Sequence, residues 1–186
     1  MARRLRPVGL DFIEVAPVRL VFTARAAAAP EAVYRALAEE VTGWPDWFRA
    51  VTLARPTEGG AGREVRLAGG VRFRETIMAA EPERRYAYRA DETNAPGLHA
   101  LLEEWLLSAA GPGDDGGDRV ADVPDGVAGQ YPRASSGTRI RWTFAADGPA
   151  PFRVALKAAR PGLDLAFRSA VRTLDARLTG RSGAGR

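Results

Sequence analysis

Residues 62–90 read GREVRLAGGVRFRETIMAAEPERRYAYRA, a stretch in which apolar and polar residues alternate in three successive runs. Alternation of this kind is typical of a β-strand with one buried face, because successive side chains point to opposite sides of a sheet. Gly69-Gly70 and Glu81-Pro82 separate the runs and have turn chemistry. Because the links are short, we expect these strands to pair as antiparallel hairpins.

Similar signals continue on both sides of this stretch. The predicted strands cover about 17–25, 49–56, 62–69, 71–80, 84–91, 98–109 and a last strand from Thr138. Two short helices are predicted between the first two strands, one beginning near Pro30 and the other at 43–48. Helical spacing of Leu163, Phe167, Val171, Leu174 and Leu178 predicts a long C-terminal helix over 162–178, after a short turn around 151–159.

These elements predict an α+β fold in which one seven-stranded antiparallel sheet wraps around the C-terminal helix, since each has one apolar face to bury. A chain of 186 residues suits a single domain, here 16–179, with an N-terminal arm at 1–15 and a tail at 180–186. The segment 110–137 is rich in glycine, proline and aspartate, a composition that predicts a mobile insertion.

Composition excludes several classes of function. The chain has no cysteine, which excludes disulfides, thiolate metal sites, iron–sulfur clusters and a thiol nucleophile. Its single histidine, His99, excludes sites built from paired histidines. We therefore predict no metal and no cofactor.

The net charge of +4 comes from arginines scattered singly among acids, with Lys157 as the one lysine. A nucleic-acid site would cluster its basic residues, so none is predicted. No apolar run approaches the roughly 18 residues that span a membrane, and Asp11 and Glu14 interrupt any secretion signal. We expect a cytoplasmic protein without membrane insertion, and the sequence leaves a homodimer open.

The predicted strand VRFRETI, residues 71–77, has a charged residue on its otherwise apolar face. Val71, Phe73, Glu75 and Ile77 share one face, so a carboxylate lies within the row expected to point inward. In one interpretation Glu75 is a half-exposed ion-pair partner of a nearby arginine. In the other it lines a cavity, balanced by an arginine or hydrogen-bonded to Tyr86, Tyr88 or His99, because burial in a dry core would cost several kcal/mol. The cavity interpretation predicts that Glu75→Gln preserves the fold.

The adjacent pair Glu103-Glu104 raises the same question on the strand 98–109. Adjacent strand residues face opposite ways, so one of the two should point inward. If Leu101, Trp105 and Leu107 mark the inner face, Glu103 and His99 join them; if Leu98, Leu102 and Leu106 do, Glu104 faces inward. The first alternative is preferred because it buries Trp105.

The aromatic residues have two interpretations. Trp44 and Trp47 either form a gate of a pocket or, as we prefer, hold the short helices against the sheet. Phe73, Tyr86, Tyr88, Trp142 and Phe167 are core residues by default, although buried tyrosine hydroxyls need partners and so suit a partly polar cavity.

Several segments resemble the polyketide cyclase/dehydrase and lipid-transport family of the START-like (SRPBCC) superfamily. They are AAPEAVYRALAEEVTGWPDWFRAV at 28–51, the stretch 62–90, EEWLLS at 103–108, GTRIRWTF at 137–144 and the final helix. The resemblance covers about 16–179 without the insertion at 110–137, where most members have a tight hairpin. It implies the helix-grip fold, with a deep cavity between the sheet and the long helix.

The resemblance implies that the cavity binds an apolar or amphipathic small molecule, such as a lipid, a polyketide or an isoprenoid-like compound. A polyketide aromatase/cyclase using the same cavity and a protein-interaction module remain alternatives, and no catalytic residue is assigned. The predicted ligand-binding residues are Phe73, Glu75, Tyr86, Tyr88, His99, Glu103, Trp105, Trp142 and Phe167.

Overall fold

The structure is a computed structural model that describes residues 2–111 and 137–183, with side chains described as far as residue 180. Most of the predicted insertion at 110–137 and the end of the predicted tail therefore lie outside the described residues. Both stay predictions.

One antiparallel sheet forms the body of the protein. Its strands are β1 (Arg3–Arg4), β2 (Val18–Ala26), β3 (Val51–Thr57), β4 (Gly62–Leu67), β5 (Arg72–Glu81), β6 (Arg85–Thr93), β7 (Ala100–Ala109) and β8 (Thr138–Asp147). The order across the sheet is β2-β8-β7-β6-β5-β4-β3, and β1 pairs with β6. The predicted antiparallel α+β sheet is confirmed, and the two-residue β1 is an addition to its seven predicted strands.

The helices lie mainly on one side of this sheet. They are α1 (Phe12–Val15), α2 (Pro30–Tyr34), α3 (Trp44–Trp47), α4 (Ala150–Ala158) and α5 (Arg160–Gly183). A π-helical turn at Arg35–Glu39 and 3-10 turns at Val41–Gly43 and Glu58–Gly60 complete the set. The long helix α5 packs against the inner face of the sheet, where Phe167 meets Phe22 of β2 with ring centres 6.1 Å apart. This is the predicted helix-grip arrangement.

The N-terminal segment covers part of the outer face. Phe12 and Ile13 of α1 are buried against Leu102 of β7 and Ala145 of β8. Backbone hydrogen bonds tie this segment to the sheet, including Leu5 N to Asp91 O at 2.8 Å. The residues predicted as an arm thus pack on the sheet, because their apolar side chains cover a strip that α5 cannot reach.

Two irregularities in the β5–β6 pairing determine which side chains point inward. The register shifts once between Arg74 and Glu75 and once between Ile77 and Ala79. A bulge adds one residue to one strand, so the alternation of faces restarts beyond it. As a result the inward row of β5 steps from Ile77 to Ala80, which pairs with Tyr86 and lines the same inner cavity as Ile77.

Candidate functional site

An aromatic layer fills the middle of the space between the sheet and α5. The rings of Trp105 and Trp142 stack with centres 5.5 Å apart, and Phe167 lies 5.8 Å and 5.7 Å from them. All three are almost completely buried. These predicted cavity residues therefore pack against one another in this part of the interior.

Glu75 points inward and forms an ion pair with Arg63. The two residues are direct cross-strand partners of β4 and β5, and Arg63 Nε donates to Glu75 Oε2. Their side chains are 2% and 3% exposed. The partner is an arginine, as both interpretations of the sequence allowed, but the pair is buried and not half-exposed.

The guanidinium of Arg63 lies among aromatic rings. Its central carbon is 3.7 Å from the centre of the Tyr88 ring and 4.2 Å from that of Trp44. A desolvated cation over aromatic faces is stabilised by about 2 kcal/mol or more. The Nη1 atom of Arg63 is buried without a hydrogen-bond partner in the part of the chain that the structure describes. A buried donor without a partner carries a free-energy cost that a ligand oxygen would remove.

Burial and charge act in opposite directions on this pair. Burial alone would lower the pKa of Arg63, but the adjacent carboxylate of Glu75 outweighs it and the net shift is upward. Burial raises the pKa of Glu75, and the charge of Arg63 opposes that rise. Arg63 therefore keeps its proton, and its charge favours the ionised form of Glu75 against the effect of burial on the pKa of that carboxyl.

Glu103 is the second inward carboxyl, on the face preferred from the sequence. Its Oε2 accepts hydrogen bonds from the Tyr88 hydroxyl at 2.8 Å and from Trp142 Nε1 at 2.9 Å. Trp105 Nε1 donates to the same Tyr88 hydroxyl at 3.1 Å. Burial raises the pKa of Glu103 to about 7, with the charge of Glu75 adding to the rise. Glu103 can therefore gain or lose a proton near neutral pH.

A cavity of about 550 Å³ opens beside Arg63, between the helical segment that follows β2 and the strands β3 to β6. Its polar lining includes Tyr34, Glu39, Thr42, Arg63 and Tyr86, and its apolar lining includes Ile77 and Val41. The π-helical turn Arg35–Glu39 forms part of this wall, and such turns occur frequently at functional sites. The volume is within the range of small-molecule sites.

The structure places eight of the nine predicted ligand-binding residues on the inner face of the sheet or on α5, and it leaves His99 outside. Glu75, Tyr86 and Tyr88 surround Arg63, whereas Glu103, Trp105, Trp142 and Phe167 form or adjoin the aromatic layer. Phe73 is partly buried on the same inner face. His99 is exposed just before β7, with its backbone held by Arg6 and Asp147, so the structure does not bring it to the site.

Sequence reasoning missed Arg63 and Tyr34, although a signal for Arg63 was present. In β4 the alternation places Arg63 on the same face as Val65 and Leu67, the pattern that identified Glu75 in the next strand. The sequence favours a role for Trp44 in holding the short helices against the sheet. Its Nε1 does donate to Leu37 O at 2.9 Å, but its ring also contacts Arg63.

A larger groove of about 700 Å³ lies on the outer face, beside α1. Glu104 faces it and forms an ion pair with Arg85 at 2.6 Å. This groove is open and none of the predicted binding residues lines it, so the inner cavity is the stronger candidate site.

The family of the chain follows from comparison with known proteins. The profile of the family described as polyketide cyclase/dehydrase and lipid transport matches residues 17–179. Uncharacterized proteins of Mycobacterium tuberculosis and Mycobacterium bovis are 32% identical over 172 residues, covering 90% of this chain and 88% of theirs. The protein belongs to the polyketide cyclase/dehydrase and lipid transport family.

Solved structures with low sequence identity share its fold. A START superfamily protein from Mycobacterium smegmatis has a TM-score of 0.57 at 9% identity and covers 87% of this chain and 97% of its own. XoxI from Bacillus cereus has a TM-score of 0.59 at 15% identity, with coverages of 87% and 96%. The di-domain ARO/CYC StfQ of the steffimycin biosynthetic pathway has a TM-score of 0.62 at 14% identity, with coverages of 89% and 52%.

None of the helices in the described parts of the chain is long and apolar enough to cross a membrane.

Proposed function

We propose that this protein binds an apolar or amphipathic small molecule, such as a lipid, a polyketide or an isoprenoid-like compound, between its sheet and its helices. Membership of a family described as polyketide cyclase/dehydrase and lipid transport supports this class of ligand. The cavity of about 550 Å³ has the size and the mixed lining of a small-molecule site.

The observation that carries the proposal is the unpaired donor of Arg63 at this cavity. Arg63 lines the cavity, its side chain is 2% exposed, and Nη1 has no partner among the described residues. Nη1 is closed to water, so a hydroxyl, carbonyl or carboxylate oxygen of a ligand would supply the missing acceptor once the side chains over Nη1 move aside. The apolar part of the ligand would then lie against Val41 and Ile77.

Native mass spectrometry of the protein as purified from cells tests the proposal by detecting a bound compound. The matched comparison is the double variant Arg63→Met/Glu75→Met, which removes the donor without leaving an unpaired buried charge. The control is Arg55→Met/Glu64→Met at the exposed cross-strand pair of β3 and β4. We expect the wild type and the control to retain the compound and the Arg63 variant to lose most of it. Equal retention by all three would contradict the assignment to Arg63.

A second candidate is an enzyme of the aromatase/cyclase type. Glu103 favours it, because a carboxyl with a pKa of about 7 can exchange protons at neutral pH. StfQ, which has the same fold, is itself described as an ARO/CYC. Incubation with a synthetic poly-β-ketone thioester, followed by chromatography and mass spectrometry, tests this candidate. Cyclised products that depend on Glu103 would support an enzyme, and unchanged substrate would support a binder.

A further inference from the structure

The two oxygens of Glu103 have different environments. Oε2 accepts both hydrogen bonds, from the Tyr88 hydroxyl and from Trp142 Nε1. Oε1 receives no hydrogen bond from any residue in the ranges 2–111 and 137–180, and Glu103 retains accessible surface although it lies on the inner face of the sheet. One oxygen is thus fixed by the protein, and the other is available to a ligand.

Apolar side chains lie beside Glu103 on the inner face of the sheet. Phe144 of β8 is the direct cross-strand partner of Glu103 and is also partly accessible. Phe144, Phe73 and Leu156 of α4 pack against one cluster that includes Leu101, two residues before Glu103. We call Glu103, Phe73, Phe144 and Leu156 the α4-side region. Leu156 brings α4 to this region, and α4 buries none of its own residues fully.

The hydrogen bonds of Oε2 determine where a proton resides. A carboxyl oxygen that accepts two hydrogen bonds has used its acceptor capacity, so the proton of the neutral acid belongs on Oε1. Neutral Glu103 therefore presents an O–H donor toward the α4-side region. A carbonyl oxygen is the complementary ligand group, because it accepts hydrogen bonds and cannot donate one.

The charged groups around Glu103 allow its neutral, protonated form to be populated at neutral pH. Burial raises its pKa to about 7, Glu75 adds to the rise, and Tyr88 and Arg63 oppose it. Trp142 of β8 carries no charge. The charged groups on α4 are Arg153, bound to Asp147, and the exposed Lys157. Those on the described part of α5 are the exposed Arg160, Asp164 bound to Arg168, Arg172, Asp175, which accepts a hydrogen bond from Ala28 N, and Arg177, bound to Asp46.

We infer that Glu103 Oε1 donates a hydrogen bond to the carbonyl oxygen of an apolar ligand held in the α4-side region. The inference rests on the proposed binding of apolar small molecules in the interior, and it adds a second polar contact, at the carboxyl that accepts the Tyr88 hydroxyl hydrogen. It specifies a carbonyl compound as the ligand class. Because only the neutral acid can donate, recognition of the carbonyl weakens as Glu103 ionises.

Calorimetric titration with α-tetralone and tetralin tests this assignment, because the two probes differ by one carbonyl oxygen. The measured quantity is the ratio of their affinities, one pH unit below and one above the Glu103 pKa of about 7. A single hydrogen bond predicts a ratio roughly fivefold larger at the lower pH. A ratio that does not change with pH in the wild type would overturn the inference while leaving the binding proposal intact. Failure of both probes to bind would overturn the inference, whereas native mass spectrometry of the purified protein decides the binding proposal separately.

Two variants on the same strand complete the experiment. Glu103→Gln keeps an acceptor for Tyr88 and Trp142 and offers an amide N–H in place of the acid proton. We expect its affinity ratio to be the same at both pH values. Glu104→Gln, on the outer face, should retain the pH dependence of the wild type. Loss of the pH dependence in both variants, or its persistence in Glu103→Gln, would contradict the role of Glu103.

Discussion

The guanidinium carbon of Arg63 lies 3.7 Å from the centre of the Tyr88 ring. Tyr88 in turn donates its hydroxyl hydrogen to Glu103, so one tyrosine separates a buried cation from a carboxyl with a pKa of about 7. The ring face stabilises the cation, and the hydroxyl orients the carboxyl. This chain of contacts crosses β4, β6 and β7 and gives the interior both its charge and its titratable group.

Removing one partner of the Arg63–Glu75 pair should destabilise the protein strongly. Arg63→Ala leaves the Glu75 carboxylate buried and unpaired, and we expect a loss of about 3–5 kcal/mol in the free energy of unfolding. Glu75→Gln leaves the opposite charge unpaired and should also be costly, contrary to the tolerance expected from the sequence. Urea denaturation of both single variants and of Arg63→Met/Glu75→Met measures these effects. A double variant no more stable than either single variant would contradict the coupling.

The exposed pair Arg55–Glu64 offers a control for that prediction. It connects β3 and β4 with side chains 58% and 17% exposed. Exposed ion pairs contribute about 1 kcal/mol or less, so Arg55→Ala should change the unfolding free energy by no more than that. A larger loss would show that strand pairing, and not burial, determines the cost.

Glu103 should make the protein less stable as the pH rises. Its pKa is raised from 4.5 to about 7 in the folded protein, so between these values the folded state binds more protons than the unfolded state. Its contribution is therefore favourable below about pH 4.5 and is lost as the pH approaches 7, a change of up to about 3 kcal/mol. Denaturation series across this pH range for the wild type and Glu103→Gln measure the contribution. A constant difference between the two proteins would contradict the raised pKa.

Tyr88→Phe should raise the pKa of Glu103 further. The hydroxyl stabilises the carboxylate, and its removal also leaves Trp105 Nε1 without an acceptor. We expect a loss of about 1–3 kcal/mol in stability, together with an upward shift in the pH midpoint of tryptophan fluorescence, since Trp142 contacts the same carboxyl. The midpoint should be absent in Glu103→Gln, and an unchanged midpoint in Tyr88→Phe would exclude the hydrogen bond.

Shortening the chain between β7 and β8 should be tolerated. Ala110 N donates to Gly137 O at 3.0 Å, so the ends of the connection are already adjacent. Replacing 112–136 by a short glycine-containing turn should cost little, because the entropy of loop closure grows slowly with length. Gly137 must stay, since its φ is +129° and an added Cβ would lie 2.3 Å from Ala26 O. Thermal unfolding compares the two chains, and a large fall in melting temperature would contradict the mobile insertion predicted from the sequence.

Much of the fold could be predicted from local patterns. The alternation in 62–90 and the helical spacing of Leu163, Phe167 and Val171 correspond to elements that the structure contains. Each such pattern reports the face of one element that must be buried, which is a local property of the chain. The inward position of Glu75 and of Glu103 could be predicted from the sequence in the same way.

The partners of these groups were decided by the tertiary structure. Alternation within β5 places Arg72 and Arg74 on the opposite face from Glu75, but nothing local to residue 75 identifies Arg63 as its partner, because that choice depends on the β4–β5 register, which places Arg63 directly opposite Glu75. His99, the obvious chemical candidate in the sequence, lies exposed before β7 begins. The pKa of Glu103 likewise depends on burial and on Glu75, two strands away. Local periodicity determines which face a side chain occupies, whereas strand order and packing determine which charges share that face and how far water is excluded from them.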